Sequence, residues 1–148
     1  VVAVGRSRDP PTDALFEDYT RRCPWPIRLV EVQPRGTVPP ERRKDAEAAL
    51  LLAAAPAGTA LVALDERGHD PTSAELAGRL GAWRDEGRRS ATFLIGGADG
   101  LAPSVLAAAE WRLAFGRLTW PHRLVRPMLA EQLYRATAIL AGHPYHRA

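Results

Sequence analysis

The chain has 148 residues, a length typical of one domain. Its composition, 46% hydrophobic and 25% charged, excludes a disordered tail and a fibrous protein. No apolar run reaches the roughly 18 residues of a membrane-spanning helix, and the start does not resemble a secretory signal. The single cysteine, Cys23, excludes an intramolecular disulfide framework and a cysteine-rich zinc site. We therefore expect one cytoplasmic domain over residues 1–148, with no membrane segment.

The charge is distributed unevenly along the chain. Residues 1–110 carry 14 basic and 16 acidic side chains, whereas residues 111–148 carry six arginines and one glutamate. Basic residues interleaved with aromatic ones favour an anionic partner, with nucleic acid as the leading candidate. The alternative is a compositional bias of the genome, because all but one of the basic residues are arginine.

Apolar runs alternate with helical patterns along the whole chain. Short apolar, β-branched runs are typical of strands, and Thr72 followed by Glu75 fits a helix-initiating capping box. We expect Pro127 in the first turn of the last helix, which would then begin near residue 125 or 126. The predicted strands are 1–4, 27–32, 60–64, 91–95 and 111–115. The first predicted helix opens at residues 10–12 and ends before Pro24, and the other predicted helices are 41–55, 72–86, 103–110 and 124–140.

This alternation predicts an α/β fold with a mostly parallel sheet and helices on both faces. Ligands of such sheets bind beyond the carboxyl ends of the strands. Those ends carry Gly5, Asp65, Gly96 and Gly116, and glycine lets a cofactor approach the backbone without meeting a Cβ atom. The alternative is that glycine simply ends these strands, as it does in many proteins.

Several common chemistries do not fit the motifs. The loop at 96–100, Gly-Gly-Ala-Asp-Gly, is not the G-x-G-x-x-G of dinucleotide-binding folds, and the only lysine, Lys44, is not in a Walker A motif. His143 and His146 have the spacing of a metal pair, but no third ligand is evident. We therefore expect no metal.

Six segments resemble the bacterial large-subunit (23S) ribosomal RNA pseudouridine N3-methyltransferases of the SPOUT superfamily. They occur in the same order and at similar spacing as in that family, and they extend over essentially the whole chain. The segments are Val-Ala-Val-Gly at 2–5, Leu-Val-Ala-Leu-Asp at 61–65, Leu-Ile-Gly-Gly-Ala-Asp-Gly-Leu at 94–101, Leu-Thr-Trp-Pro-His at 118–122, and Glu-Gln-Leu-Tyr-Arg-Ala at 131–136 with the ending His-Pro-Tyr-His-Arg at 143–147.

The resemblance implies a C-terminal trefoil knot of the SPOUT type and a pocket for S-adenosyl-L-methionine. It implies that three loops hold this cofactor, mainly through backbone groups. Trp120 is implied to be one of the cofactor residues, and the alternative is that its side chain packs in the core. Carried over by motif, the cofactor residues are Leu64, Gly96, Phe115, Gly116, Arg117, Leu118, Thr119 and Trp120.

The resemblance further implies that residues 142–148 form a substrate-facing tail and that the enzyme is a homodimer acting on ribosomal RNA in the ribosome. One subunit's tail would complete the substrate site of the other. The implied catalytic residues are His143, Tyr145, His146 and Arg147. We expect four arginines to contact RNA phosphates, namely Arg112, Arg117, Arg123 and Arg126. For Arg126, the alternative is an ion pair with Glu131.

The chain departs from the family pattern at its start, where a few residues are missing before Val1, and at 33–44, where proline replaces basic residues. The first departure leaves the true N-terminus open, and the second weakens the case for RNA contacts there. Two other functions stay open at this point. One is a SPOUT methyltransferase with a different RNA target, and the other is a non-catalytic, ribosome-associated RNA-binding module.

Overall fold

A computed structural model describes residues 1–146 as five strands alternating with five helices. All ten predicted elements are present, and the α/β class is confirmed. In chain order they are β1 (Val2–Val4), α1 (Pro10–Arg22), β2 (Val30–Val32), α2 (Pro40–Ala54), β3 (Ala60–His69), α3 (Ser73–Asp85), β4 (Ala91–Ile95), α4 (Pro103–Ala108), β5 (Trp111–Leu113) and α5 (His122–Leu140).

The strands form one sheet in the order β2-β1-β4-β3-β5, and every neighbouring pair is parallel. The predicted parallel sheet, flanked by helices, is therefore confirmed. Leu94 of β4 lies opposite Val2 on one side and Ala63 on the other. Its side chain is completely buried, as expected for a central strand whose faces are both covered.

The chain divides into two compact units. The first, the sheet unit, consists of Val1–Arg6, Arg28–Asp70 and Ser90–His122, and it contains all five strands with α2 and α4. Burial of apolar side chains of the sheet against the two helices stabilises this unit. Its core is formed by Val2, Val4, Ala48, Leu51, Leu94, Ala102 and Val105.

The second unit, the helical unit, contains α1, α3 and most of α5. The predicted capping box begins α3: Thr72 Oγ1 accepts from the backbone N–H of Glu75, and the Glu75 carboxylate accepts from the N–H of Thr72. Gly81 of α3 faces Leu140 of α5, and a Cβ at Gly81 would lie 2.9 Å from Leu140 Cδ2. A small residue at 81 thus lets these two helices approach closely.

The sequence prediction ended β3 too early. The strand continues from Leu64 through His69, and both of these residues pair with Leu113 of β5 across an irregularity in register. The extension has the polar sequence Asp-Glu-Arg-Gly-His, which lacks the apolar character used to predict strands. Its pairing with β5, a contact distant in sequence, holds it extended.

The predicted start of α5 was also wrong. The helix begins at His122, so that Pro127 lies inside it rather than in its first turn. Proline at 127 removes the single hydrogen bond from its own nitrogen to the carbonyl of Arg123, but the residues before it still have helical partners. Pro127 is buried, and the packing of the helix compensates for the lost bond.

Candidate active site

The ends of three adjacent strands meet at one edge of the sheet unit. Leu64 of β3 lies opposite Ile95 of β4 and opposite Leu113 of β5. Gly96 follows Ile95 directly, and Phe115 is two residues beyond Leu113. The sheet register therefore brings the predicted cofactor residues of three separate loops to the same edge, which is where parallel sheets bind ligands.

The loop after β4 is a tight turn that requires glycine. Gly97 and Gly100 form an isolated antiparallel bridge, and the N–H of Gly100 donates to the Gly97 carbonyl at 3.1 Å. Gly100 has a φ of +76°, which favours glycine. A Cβ at Gly96 would lie 2.8 Å from the carbonyl carbon of Gly100, so that only glycine fits at position 96 without moving the backbone.

The loop after β5 is held by the polar residues that follow Leu64. The N–H of Gly116, which has a φ of +81°, donates to Asp70 Oδ1 at 3.0 Å. The hydroxyl of Thr119 donates to Glu66 Oε2 at 3.4 Å. The two acidic residues thus fix both ends of the segment that contains most of the predicted cofactor residues.

The extension of β3 approaches β5 through Gly68. A Cβ at Gly68 would lie 2.7 Å from the backbone carbonyl carbon of Arg112, a distance that no other residue type tolerates. The N–H of Ala114 donates to the His69 carbonyl at 2.8 Å just beyond this point. The sequence pattern does not predict a role for these supporting residues. The one signal for them is a glycine within a polar run that follows an apolar strand.

Trp120 does not pack in the core. Its indole Nε1 donates to the Phe115 carbonyl at 2.8 Å, which closes the loop on itself, and 40% of the residue stays exposed. Leu118 in the same loop is 70% exposed. The core-packing alternative for Trp120 is therefore wrong, and the loop presents two large apolar side chains to solvent.

The same loop offers unused backbone groups. Within the described part of the chain, the N–H groups of Arg117 and Leu118 donate to no other backbone group. Free amides beside exposed apolar side chains suit a ligand that combines a purine edge with apolar atoms. The donor set of this edge therefore fits an S-adenosylmethionine-type group, with Gly96 and Leu64 on the neighbouring strands.

The tail residue Tyr145 is bound within the helical unit. Its hydroxyl donates to Glu131 Oε1 at 3.1 Å, and its ring contacts that of Tyr134 edge to face, with centroids 4.7 Å apart. Arg135 lies over the Tyr145 ring at 4.8 Å and donates from Nε to the same Glu131 oxygen at 2.9 Å. Burial first, then the neighbouring Tyr19 and Glu131, raise the pKa of Tyr145 well above its usual range. Tyr145 therefore stays protonated at neutral pH and acts as a donor.

Arg22 of α1 adds a second cation to this group. Its guanidinium lies 4.5 Å from the Tyr134 ring centroid and 5.6 Å from that of Tyr145. The negative face of each ring attracts the guanidinium in cation–π contacts of this kind. We call the group the tyrosine cluster, and it consists of Tyr19, Tyr134, Tyr145, Arg22, Arg135 and Glu131.

The other predicted catalytic residues flank Tyr145. His143 Nδ1 accepts from the backbone N–H of Tyr145 at 3.2 Å. His146 Nδ1 is buried and has no hydrogen-bond partner among residues 1–146. Arg147 lies outside the described residues. The tyrosine cluster thus positions the segment 143–146 in the helical unit, whereas the predicted cofactor residues lie in the sheet unit.

Replacing Tyr145 by phenylalanine tests how the tail is held. The variant keeps both ring contacts and loses one hydrogen bond to a carboxylate, so we expect a loss of about 1–2 kcal/mol in the free energy of unfolding. Tyr145→Ala, which also removes the ring contacts, should cost about 1 kcal/mol more. Urea denaturation of the wild type and both variants measures these differences in the free energy of unfolding. Equal stability of the wild type and Tyr145→Ala would show that the cluster does not hold the tail.

Three of the four predicted phosphate-binding arginines are on the surface. Arg112, Arg117 and Arg123 are exposed, and Arg112 Nε also donates to the Leu106 carbonyl at 3.2 Å. Arg126 is only 2% exposed, so its prediction as a phosphate contact is wrong. Arg126 lies on the buried face of α5 because of tertiary packing. The number of charges along the sequence does not show which face of a helix is buried.

Among residues 1–146, no group of three histidine, cysteine, aspartate or glutamate side chains could hold a metal ion. Over the same range, none of the helices has the length and apolarity needed to cross a membrane. Cys23 is buried, and its burial raises the pKa of the thiol, which makes this cysteine a poor nucleophile.

The chain matches a known family of proteins over almost its whole length. A family profile described as "Predicted SPOUT methyltransferase" matches residues 1–146. The chain belongs to the SPOUT methyltransferase family. Membership implies a methyl donor of the S-adenosylmethionine type, and it also implies the C-terminal knot, which stays a prediction here.

Individual relatives match over nearly their full length. The chain is 57% identical to a protein of Rhodospirillum centenum over 148 residues, which cover 100% of this chain and 97% of the relative. It is 52% identical to a protein of Hyphomonas neptunium, with 100% and 97% covered, and 49% identical to one of Ruegeria pomeroyi, with 99% and 97% covered. All three relatives are named "Ribosomal RNA large subunit methyltransferase H".

Proposed function

We propose that this protein methylates N3 of a pseudouridine in the 23S ribosomal RNA of the large ribosomal subunit, with S-adenosyl-L-methionine as the methyl donor. The observation that carries the proposal is the meeting of Leu64, Gly96 and the loop at 115–120 at one sheet edge, in a chain of the SPOUT family. The names of the relatives support an rRNA substrate.

The cofactor residues hold and orient the donor. The N–H groups of Arg117 and Leu118 are available to the purine, Trp120 and Leu118 cover its apolar parts, and Gly96 leaves the backbone accessible. When bound, the donor supplies an electrophilic methyl group on a sulfonium. Orientation of the two reactants contributes a large share of the rate enhancement in such displacements, because the reaction needs an in-line approach.

Proton removal is the second requirement, because N3 of pseudouridine carries a proton at neutral pH. We propose that His143 or His146 removes this proton, because an imidazole nitrogen can accept a proton as a general base. Tyr145 does not serve as the base, since its raised pKa keeps the phenol protonated. Its role is to place the two histidines, and Arg147 stabilises negative charge on the base or binds phosphate.

We propose that the substrate is large-subunit rRNA, whether free, in the subunit or in the whole ribosome, and that the protein acts in the cytoplasm. We further propose a homodimer, in which the tail of one subunit serves the substrate site of the other. A chain of 148 residues offers little surface for folded RNA, so that pairing two basic faces enlarges the footprint. A strictly monomeric protein with full activity would contradict the dimer.

Titration calorimetry with S-adenosyl-L-methionine, followed by methyl transfer to ribosomes with a tritium-labelled donor, tests the proposal. We expect saturable binding and incorporation of label into large-subunit rRNA. Ribosomal subunits and protein-free rRNA serve as parallel substrates. A protein that binds no donor at millimolar concentration would instead be a non-catalytic RNA-binding module, and label in another RNA would identify a methyltransferase with a different target.

A further inference from the structure

Helix α2 buries a carboxylate in the sheet unit. Glu47 is only 8% exposed, although the neighbouring charged residues Arg42, Arg43 and Asp45 on the same helix are exposed. Ionised carboxylates are almost never buried without a partner, because removal from water is costly. The burial of Glu47 therefore calls for a reason beyond packing.

This carboxylate lies against the loop that follows β4. A Cβ at Gly97 would lie 3.0 Å from Glu47 Oε2, 3.2 Å from Glu47 Oε1 and 3.2 Å from Val4 Cγ1. Gly97 is the direct neighbour of Gly96, one of the proposed cofactor residues. Because Gly97 has no side chain, the Glu47 carboxylate can lie close to the backbone at the edge of the sheet that contains the proposed cofactor residues.

Nothing within residues 1–146 donates a hydrogen bond to Glu47. Burial is the main factor that raises the pKa of its carboxyl, and the charge of Asp99 adds to the rise, whereas the charges of Arg43 and Lys44 oppose it. Arg43 is already paired with Asp99 at 3.6 Å. Carboxyl groups whose pKa is raised by burial beside other charged residues are concentrated at functional sites.

We propose that Glu47 is the counter-charge that makes the cofactor site prefer the cationic methyl donor to its product. The inference rests on the proposed function. Methyl transfer converts the sulfonium of S-adenosylmethionine into a neutral thioether, so the product carries one positive charge less than the donor. A carboxylate beside this edge of the sheet attracts the donor more strongly than the product, and this difference favours exchange of product for fresh donor.

Replacing Glu47 by glutamine removes the charge and keeps the shape of the side chain. The probes are S-adenosylmethionine, its cationic amine analogue sinefungin, and S-adenosylhomocysteine, each measured by titration calorimetry. We expect Glu47→Gln to weaken the two cationic ligands by about fivefold or more and to change the affinity for S-adenosylhomocysteine by less than about twofold. The matched control is Asp45→Asn, which removes an exposed charge from the same helix and should leave all three affinities within about twofold, because water screens it.

Thermal unfolding distinguishes this role from a structural one. Because a neutral amide is less costly to remove from water than a carboxylate, Glu47→Gln should unfold at the same or a higher temperature than the wild type. Equal weakening of all three ligands, or no weakening of any, would overturn the counter-charge. A wild type that binds none of the three would instead refute the proposed function, so that the two failures are distinguishable.

Discussion

Replacing Gly96 by alanine is expected to weaken S-adenosylmethionine binding by about 100-fold or more while the protein still folds. The added Cβ would lie 2.8 Å from the carbonyl carbon of Gly100 and 2.9 Å from its oxygen, and both are backbone atoms that cannot rotate away. The loop must therefore move, and with it the backbone at the end of β4. Overpacking of this kind costs about 1–3 kcal/mol, which we expect as a lower free energy of unfolding in urea.

Gly78→Ala provides the matched control for this substitution. Gly78 lies inside α3, and a Cβ there would meet no atom within 4 Å. Alanine is the better helix former by about 1 kcal/mol, so this variant should be as stable as the wild type or more stable. Its affinity for the donor should be unchanged. Donor binding by Gly96→Ala at the wild-type level would show that the loop after β4 does not form the cofactor site.

Truncation after Gly142 is expected to separate binding from catalysis. The shortened protein lacks both tail histidines, Tyr145 and Arg147, whereas every proposed cofactor residue remains. We expect donor affinity within about threefold of the wild type and methyl transfer slower by about 100- to 10,000-fold, the usual contribution of a positioned acid or base. Calorimetry and a methylation assay on ribosomes measure the two quantities on the same preparation.

Two point variants refine the truncation result. His143→Ala and His146→Ala identify which imidazole takes the proton, and the responsible one should lower the rate without changing donor affinity. Tyr145→Phe is the comparison, because it keeps both histidines and the ring contacts that hold the tail. Full methylation by the truncated protein would contradict a catalytic role for the tail.

The sequence predicted the sheet well because its central strands are apolar throughout. The strand at 91–95 has the predicted bounds, since a short buried run between polar turns has few other conformations. The polar extension of β3 was not predictable in the same way. Glu66 and Asp70 hold the loop after β5 only because chain segments distant in sequence meet at the sheet edge.

Two charged residues were misjudged or overlooked for a related reason. Arg126 was assigned to the RNA-facing surface, and Glu47 was not considered, because each belongs to a helix with several charged residues. Which helix face is buried depends on packing against elements far along the chain. The prediction of the cofactor residues came from family resemblance, and the sheet register, which brings Leu64 opposite Ile95 and Leu113, gives it a physical basis.

The proposed activity is methylation of N3 of a pseudouridine in large-subunit rRNA. Mass spectrometry of nucleosides from treated ribosomes tests it most directly, with ribosomes that lack the target pseudouridine as the paired substrate. We predict that N3-methylpseudouridine appears in the first sample and that no methylated product appears in the second. Methylation of both samples, or methylation of any nucleoside other than pseudouridine, would contradict the claim.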